Sequence, residues 1–220
     1  GAITSQYAPL TGNNTTGNMI FEVNGGTLTA EMGPAIYMPG QVTLNITDGT
    51  LNGGISLRMG QVKISGGEIN AITDHIDSPT SEIESKPAYA YSGNVWFPDA
   101  LYVINGTYTS SDETYGNSLD LEITGGTFTC RNDQGSAVAI YDLGKEAQDS
   151  SVSISGTASL TSEADNRTAY QVVSFADLGV SEPYNGYGIS EYVGKVDTSI
   201  TGGTFSSNVR DYVPENHECI

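Results

Sequence analysis

Apolar and polar residues alternate along this chain in short runs that turn at glycine and restart after threonine. The run Phe21-Glu22-Val23-Asn24-Gly25-Gly26-Thr27-Leu28-Thr29 returns over residues 44–52, 62–70, 101–109, 121–129 and 198–206. A degenerate copy, Val152-Ser153-Ile154-Ser155-Gly156, stands between the last two. Period-two alternation predicts a strand buried on one face. The Gly-Gly or Asp-Gly pair supplies the positive φ that a sharp bend requires. Asp-Gly also suits a hairpin. Successive copies, however, lie roughly 18 to 23 residues apart, or near twice that, which is the period of a β-solenoid coil.

A second apolar element follows most copies: Ala35-Ile36-Tyr37, Ile55-Ser56-Leu57, Ala71-Ile72, Ala137-Val138-Ala139-Ile140-Tyr141 and Ala169-Tyr170-Gln171-Val172-Val173. One coil then reads strand, glycine bend, short strand, variable loop. Stacking such coils puts Val23, Ile46, Ile64, Val103, Ile123 and Ile200 in one inward column. Leu28, Leu51, Ile69, Tyr108, Phe128 and Phe205 form another, and Asn24, Thr47, Ser65, Thr124 and Thr201 an outward polar ladder interrupted by Ile104. No coil buries its apolar edge alone, but neighbours close a continuous core.

The expected fold is therefore all-β: a single-stranded, right-handed parallel β-helix of roughly eight or nine coils of about 20 residues. The handedness is that of solenoids in general. One domain spans residues 1–220, with a cap or first coil over 1–20 and a C-terminal cap over 207–220. Residues 74–100 and 177–195 break the period as loop insertions, each expected to hold a degenerate coil. Insertions of this kind collect on one face, often the binding face.

Charge narrows the partners. Eight basic against 26 acidic residues leave a formal net charge of −18. Nucleic-acid binding needs a basic footprint to displace counterions, so no nucleic-acid partner is expected. An anionic membrane surface repels such a chain. No apolar run approaches the length of a membrane span, so membrane insertion is not expected. Cys130 and Cys219 are the two cysteines, too far apart in sequence for a metal motif, and their pairing is left open.

Candidate chemistry is sparse. Asp74, Asp77, Glu82 and Glu84 cluster near His75 in the first insertion, but a Ser- and Pro-containing loop of that kind reads as a solvated turn. Arg58, Arg131, Arg167 and Arg210 are scattered, and His75 and His217 with two separated cysteines build no zinc site. No G-x-S-x-G elbow occurs. Calcium is conceivable on so acidic a surface, yet no calcium-binding repeat supports it, and no cofactor is expected. Exposed rings can stack on sugars. Tyr184, Tyr187 and Tyr192 beside Gly186 and Gly188, with Trp96 next to Phe97, are the candidate glycan-binding residues; Tyr89 and Tyr91, in the alternating run Ala88-Tyr89-Ala90-Tyr91, read better as strand or core.

The segment Ile200-Thr201-Gly202-Gly203-Thr204-Phe205-Ser206-Ser207-Asn208-Val209-Arg210-Asp211-Tyr212-Val213 resembles the closing part of β-helix regions in surface proteins of gut Firmicutes. The resemblance extends to residues 21–29 and 121–129. It implies a pectate-lyase-like β-helix without the lyase chemistry, exported and attached to the cell wall. The matching expectation is a non-catalytic binding or adhesion module whose partner is a glycan or a host or cell-surface protein. A structural stalk is the alternative, and a polysaccharide-active lyase or hydrolase is a third reading.

Overall fold

A computed structural model describes residues 1–5, 8–12, 19–31, 33–71, 98–105, 108–110, 113–115, 118–133, 135–142, 149–174 and 196–218. The alternating runs are strands, and most pair in parallel with their counterpart one repeat away. In chain order they are β1 (Ala2–Ser5), β2 (Leu10–Thr11), β3 (Met19–Ala30), β4 (Ile36–Gly53), β5 (Ile55–Ala71), β6 (Leu101–Asn105), β7 (Tyr108–Ser110) and β8 (Glu113–Tyr115). Then come β9 (Leu119–Cys130), β10 (Val138–Asp142), β11 (Ser150–Ile154), β12 (Ser159–Ser162), β13 (Tyr170–Ser174), β14 (Val196–Ile200) and β15 (Thr204–Phe205), with a 3-10 turn over Arg210–Tyr212. All but β7 and β8 belong to one large parallel sheet.

The sheet resolves into three ladders that the chain visits in turn. Ladder I aligns Leu10, Ile36, Ile55, Leu101, Val138 and Tyr170. Ladder II aligns Val23, Ile46, Ile64, Ile123, Ile154 and Ile200. Ladder III aligns Ile3, Leu28, Leu51, Ile69, Phe128, Leu160 and Phe205. The long strands β4 and β5 pass through all three and pair with each other in each. Most of these aligned side chains are buried, and Leu51, Ile55, Leu101, Ile123 and Phe128 are wholly enclosed in one apolar cluster. A fully buried side chain of this size contributes about 1.5 to 3 kcal/mol, so the stacked columns carry the fold.

The two residues of the Gly125-Gly126 bend do different work. Gly126 sits at φ +89°, a region that a side chain enters only at a cost of about 1 to 2 kcal/mol. Gly125 has ordinary φ, but a Cβ there would press into the carbonyl of Ser65 in the neighbouring strand. One glycine turns the chain and the other lets adjacent bends stack.

The fourth sequence copy falls elsewhere than expected. Val103 aligns with Leu57 and Ile140 in ladder I, not between Ile64 and Ile123. Those two isoleucines pair directly, so Ile104 stands outside the expected polar row, and register shifts at the bends set Asn24 opposite Asp48 and Ser65 opposite Gly125, not opposite Thr47 and Thr124. Tyr108 belongs to an antiparallel pair in which it faces Tyr115, and so leaves the Leu28–Phe128 column. Residues 101–103 thus supply the second element of their circuit, the place expected for Ala71-Ile72. Ala71 instead closes the ladder III strand opposite Gly53. Alternation followed by Gly-Thr is a local signal that ladder I and ladder II strands share, and only the pairing separates them. The degenerate copy is a true ladder II strand, set between residues 120–123 and β14. β11 pairs directly with β14, and β5 with β9; the insertions expected over 74–100 and 177–195 lie almost wholly outside the described residues.

The two ends differ. At the C-terminal end Tyr212 packs edge-on against Tyr170, with ring centroids 4.8 Å apart, and its hydroxyl accepts the Val172 N–H at 3.1 Å. Ser207 accepts the Ala169 N–H at 2.7 Å, and Val209 is buried. At the other end Ala2–Ser5 is itself a ladder III strand, with Ile3 57% and, on ladder II, Ile20 68% exposed.

Candidate binding face

The inward columns fix where every neighbouring side chain points, because residues i and i+2 of a strand share a face. Outside ladder III lie two rows. One is Ala2, Thr27, Thr50, Glu68, Thr127, Ser159 and Thr204; the other is Thr4, Thr29, Asn52, Asn70, Thr129 and Thr161. All are exposed or half-buried. Apart from Ala2 and Glu68, every position carries a hydroxyl or an amide. Strand pairing sets about 4.8 Å between neighbours along a row and roughly 6.6 Å between rows. Neighbours within a row also bind one another: Asn52 Nδ2 donates to Thr29 Oγ1 at 3.3 Å, and Asn70 Nδ2 to Asn52 Oδ1 at 3.1 Å.

The outer face of ladder II is different. Its rows are Ile20, Thr43, Gln61, Asp120, Ser151, Asp197 and Glu22, Asn45, Lys63, Glu122, Ser153, Ser199. Lys63 Nζ meets Glu122 Oε2 at 2.9 Å, and this hydrogen bond and charge raise the lysine's pKa. Both ends of the pair are well exposed, so it contributes little to stability. Beside it Thr47 Oγ1 donates to Asn24 Oδ1 at 2.7 Å in a shallow depression.

Several titratable groups are buried, Asp99 among them. Asp99 is 1% exposed, and its carboxylate accepts the Ser136 N–H at 2.7 Å and the Tyr141 hydroxyl at 2.8 Å. Burial pushes its pKa up to about 6, against the pull of these two donors and of Arg167. The Cys130 thiol, directed at the Pro98 carbonyl at 3.1 Å, is pushed up to about 12 by burial and by Asp99. Cys130 is a free thiol. This buried network ties residues 98–100 to the corner 132–137 and to β10.

Of the residues singled out in the sequence, Tyr184, Tyr187, Tyr192 and Trp96 lie outside the described residues, as do Asp74, His75, Asp77, Glu82, Glu84 and Cys219. His217 is exposed, with Nδ1 3.0 Å from Asn216 Oδ1. Arg131 lies 3.7 Å from Glu163 at the surface, and Arg58 is buried. Among the described residues no group of three or more His, Cys, Asp or Glu is placed to hold a metal ion, and no helix is long and apolar enough to cross a membrane. The outward rows of ladder III were not drawn from the sequence, though the signal was there: they are the residues on either side of Leu28, Leu51, Ile69 and Phe128. Asp99 had no such signal, since its partners lie far along the chain.

No family model, no curated protein and no solved structure matches this chain.

Proposed function

We propose that this chain is a unit of a right-handed parallel β-helix, exported and held at a bacterial cell surface, where it acts as a non-catalytic binding or adhesion module with a glycan as its partner. The observation that carries this reading is the pair of ordered, accessible polar rows running along ladder III, with side chains held at regular spacing. Solenoids commonly bind along such extended faces. The successive visits to three parallel ladders support the β-helix, and the short Gly-Gly-Thr-Phe resemblance supports export and attachment to the wall. The strongly acidic composition fits a dispersed extracellular domain.

The test is a glycan array probed with the purified domain, with the same polysaccharides assayed for released sugars. Retention without cleavage is the expected result. Cleavage would make the chain an enzyme. Silence on the array, with the fold intact by circular dichroism, would leave the ladders as a spacer.

A further inference from the structure

The acidic residues of this chain are not spread evenly over its two exposed ladders. Ladder II displays Glu22, Asp120, Glu122 and Asp197 outward, whereas Glu68 is the one charge in the outward rows of ladder III. In a chain of formal net charge −18, a face whose outward rows hold a single carboxylate is a local exception. Solubility alone favours charge on every exposed face.

We infer that the outer face of ladder III is a binding site for a neutral polysaccharide, laid along the two hydroxyl and amide rows. This inference rests on the glycan-binding reading above and gives it a face and a ligand class. Three features of the rows suit that occupant. Threonine presents a hydroxyl and a methyl together, so a row of threonines offers hydrogen bonds and apolar contact, as a sugar ring does in return. Its branched Cβ restricts χ1, and the Thr29–Asn52–Asn70 hydrogen bonds hold the amides in place. Side chains ordered before binding lose less entropy on binding. Finally, the rows repeat at fixed intervals, which matches a chain of repeating units better than a compact ligand. An acidic polysaccharide would meet Glu68 within the row and the negative charge of the chain as a whole, and be repelled.

The experiment compares retention of the intact domain on insoluble neutral glucan and mannan with its retention on polygalacturonate, at low and moderate salt. Wild type is expected on the neutral polymers and not on the acidic one. Thr127→Arg with Thr129→Arg, placed in the middle of the face, should weaken retention about tenfold or more. Gln61→Arg with Ser153→Arg, on the outer face of ladder II, should leave it unchanged, and circular dichroism checks that all variants fold. If Thr127→Arg/Thr129→Arg binds as wild type while Tyr184→Ala/Tyr187→Ala does not, the sugar sits on the rings: the ladder III site is overturned and the glycan reading survives. Preference for polygalacturonate overturns the neutral ligand class. No retention on any polymer overturns both readings, and thermal hysteresis in that case would make ordered water the occupant of the rows.

Discussion

Asp99 makes the protein's stability depend on pH in a direction opposite to that of a surface carboxylate. Its pKa stands at about 6 in the folded chain because burial outweighs the Ser136, Tyr141 and Arg167 contributions. In the unfolded chain an aspartate titrates near 3.9. The folded state therefore holds the proton more tightly, and acidification stabilises it. The contribution is full below about pH 4 and lost as pH rises through about 6. A difference of about 2 pKa units corresponds to about 3 kcal/mol, of which about 2 kcal/mol is expressed by pH 4.5. Asp99→Asn retains an acceptor for the Ser136 N–H and removes the titration. Urea unfolding followed by circular dichroism at pH 7.5 and 4.5 should show wild type gaining about 2 kcal/mol relative to Asp99→Asn on acidification. The other carboxylates are common to both proteins and cancel in the comparison. A difference that does not change with pH would refute the reasoning. A wild type that loses ground on acidification would show that the donors and Arg167 outweigh burial.

Phe128, enclosed at the centre of ladder III, should lose about 3 to 5 kcal/mol of stability as Phe128→Ala in the same unfolding assay. Gly125→Ala should cost about 1 to 3 kcal/mol through contact with the Ser65 carbonyl, despite its unexceptional φ, and a neutral result would show that adjacent bends have room to separate. In a Cys219→Ser background, Cys130 should resist a thiol reagent in the folded protein at pH 8 and react fully in urea; prompt native reaction would contradict its burial and raised pKa.

The columns were legible because each strand carries its own evidence. Val23, Ile46, Ile64, Ile123 and Ile200 can be aligned by eye, and the structure stacks them in that order with Ile154 between the last two. Leu101-Tyr102-Val103 shows the limit of such reading. Its alternation identifies a strand facing an apolar interior, but which ladder it joins depends on partners that a local pattern does not encode. Asp99 lies beyond that limit altogether. Nothing in Pro98-Asp99-Ala100 announces burial, and the Ser136 N–H and Tyr141 hydroxyl that satisfy it arrive only when neighbouring circuits stack. The ladder III face falls between these cases: its residue types are plain in the sequence, but its contrast in charge with ladder II emerges only once both sets of outward rows are assigned.

The uninterrupted pairing of β4 with β5 gives the stack a place to start. These strands meet in all three ladders one repeat apart, with Ile36 opposite Ile55 and Ile46 opposite Ile64, so closing one short loop forms three stretches of pairing at once. Joining β5 to β9 spans a loop roughly threefold longer, for about 1 kcal/mol more in closure entropy. Each later circuit then adds to a surface that already exists, and its own contacts reach no further than its neighbours. On this topology residues 36–71 are the expected seed of assembly, and a defect near either end should leave that seed able to form.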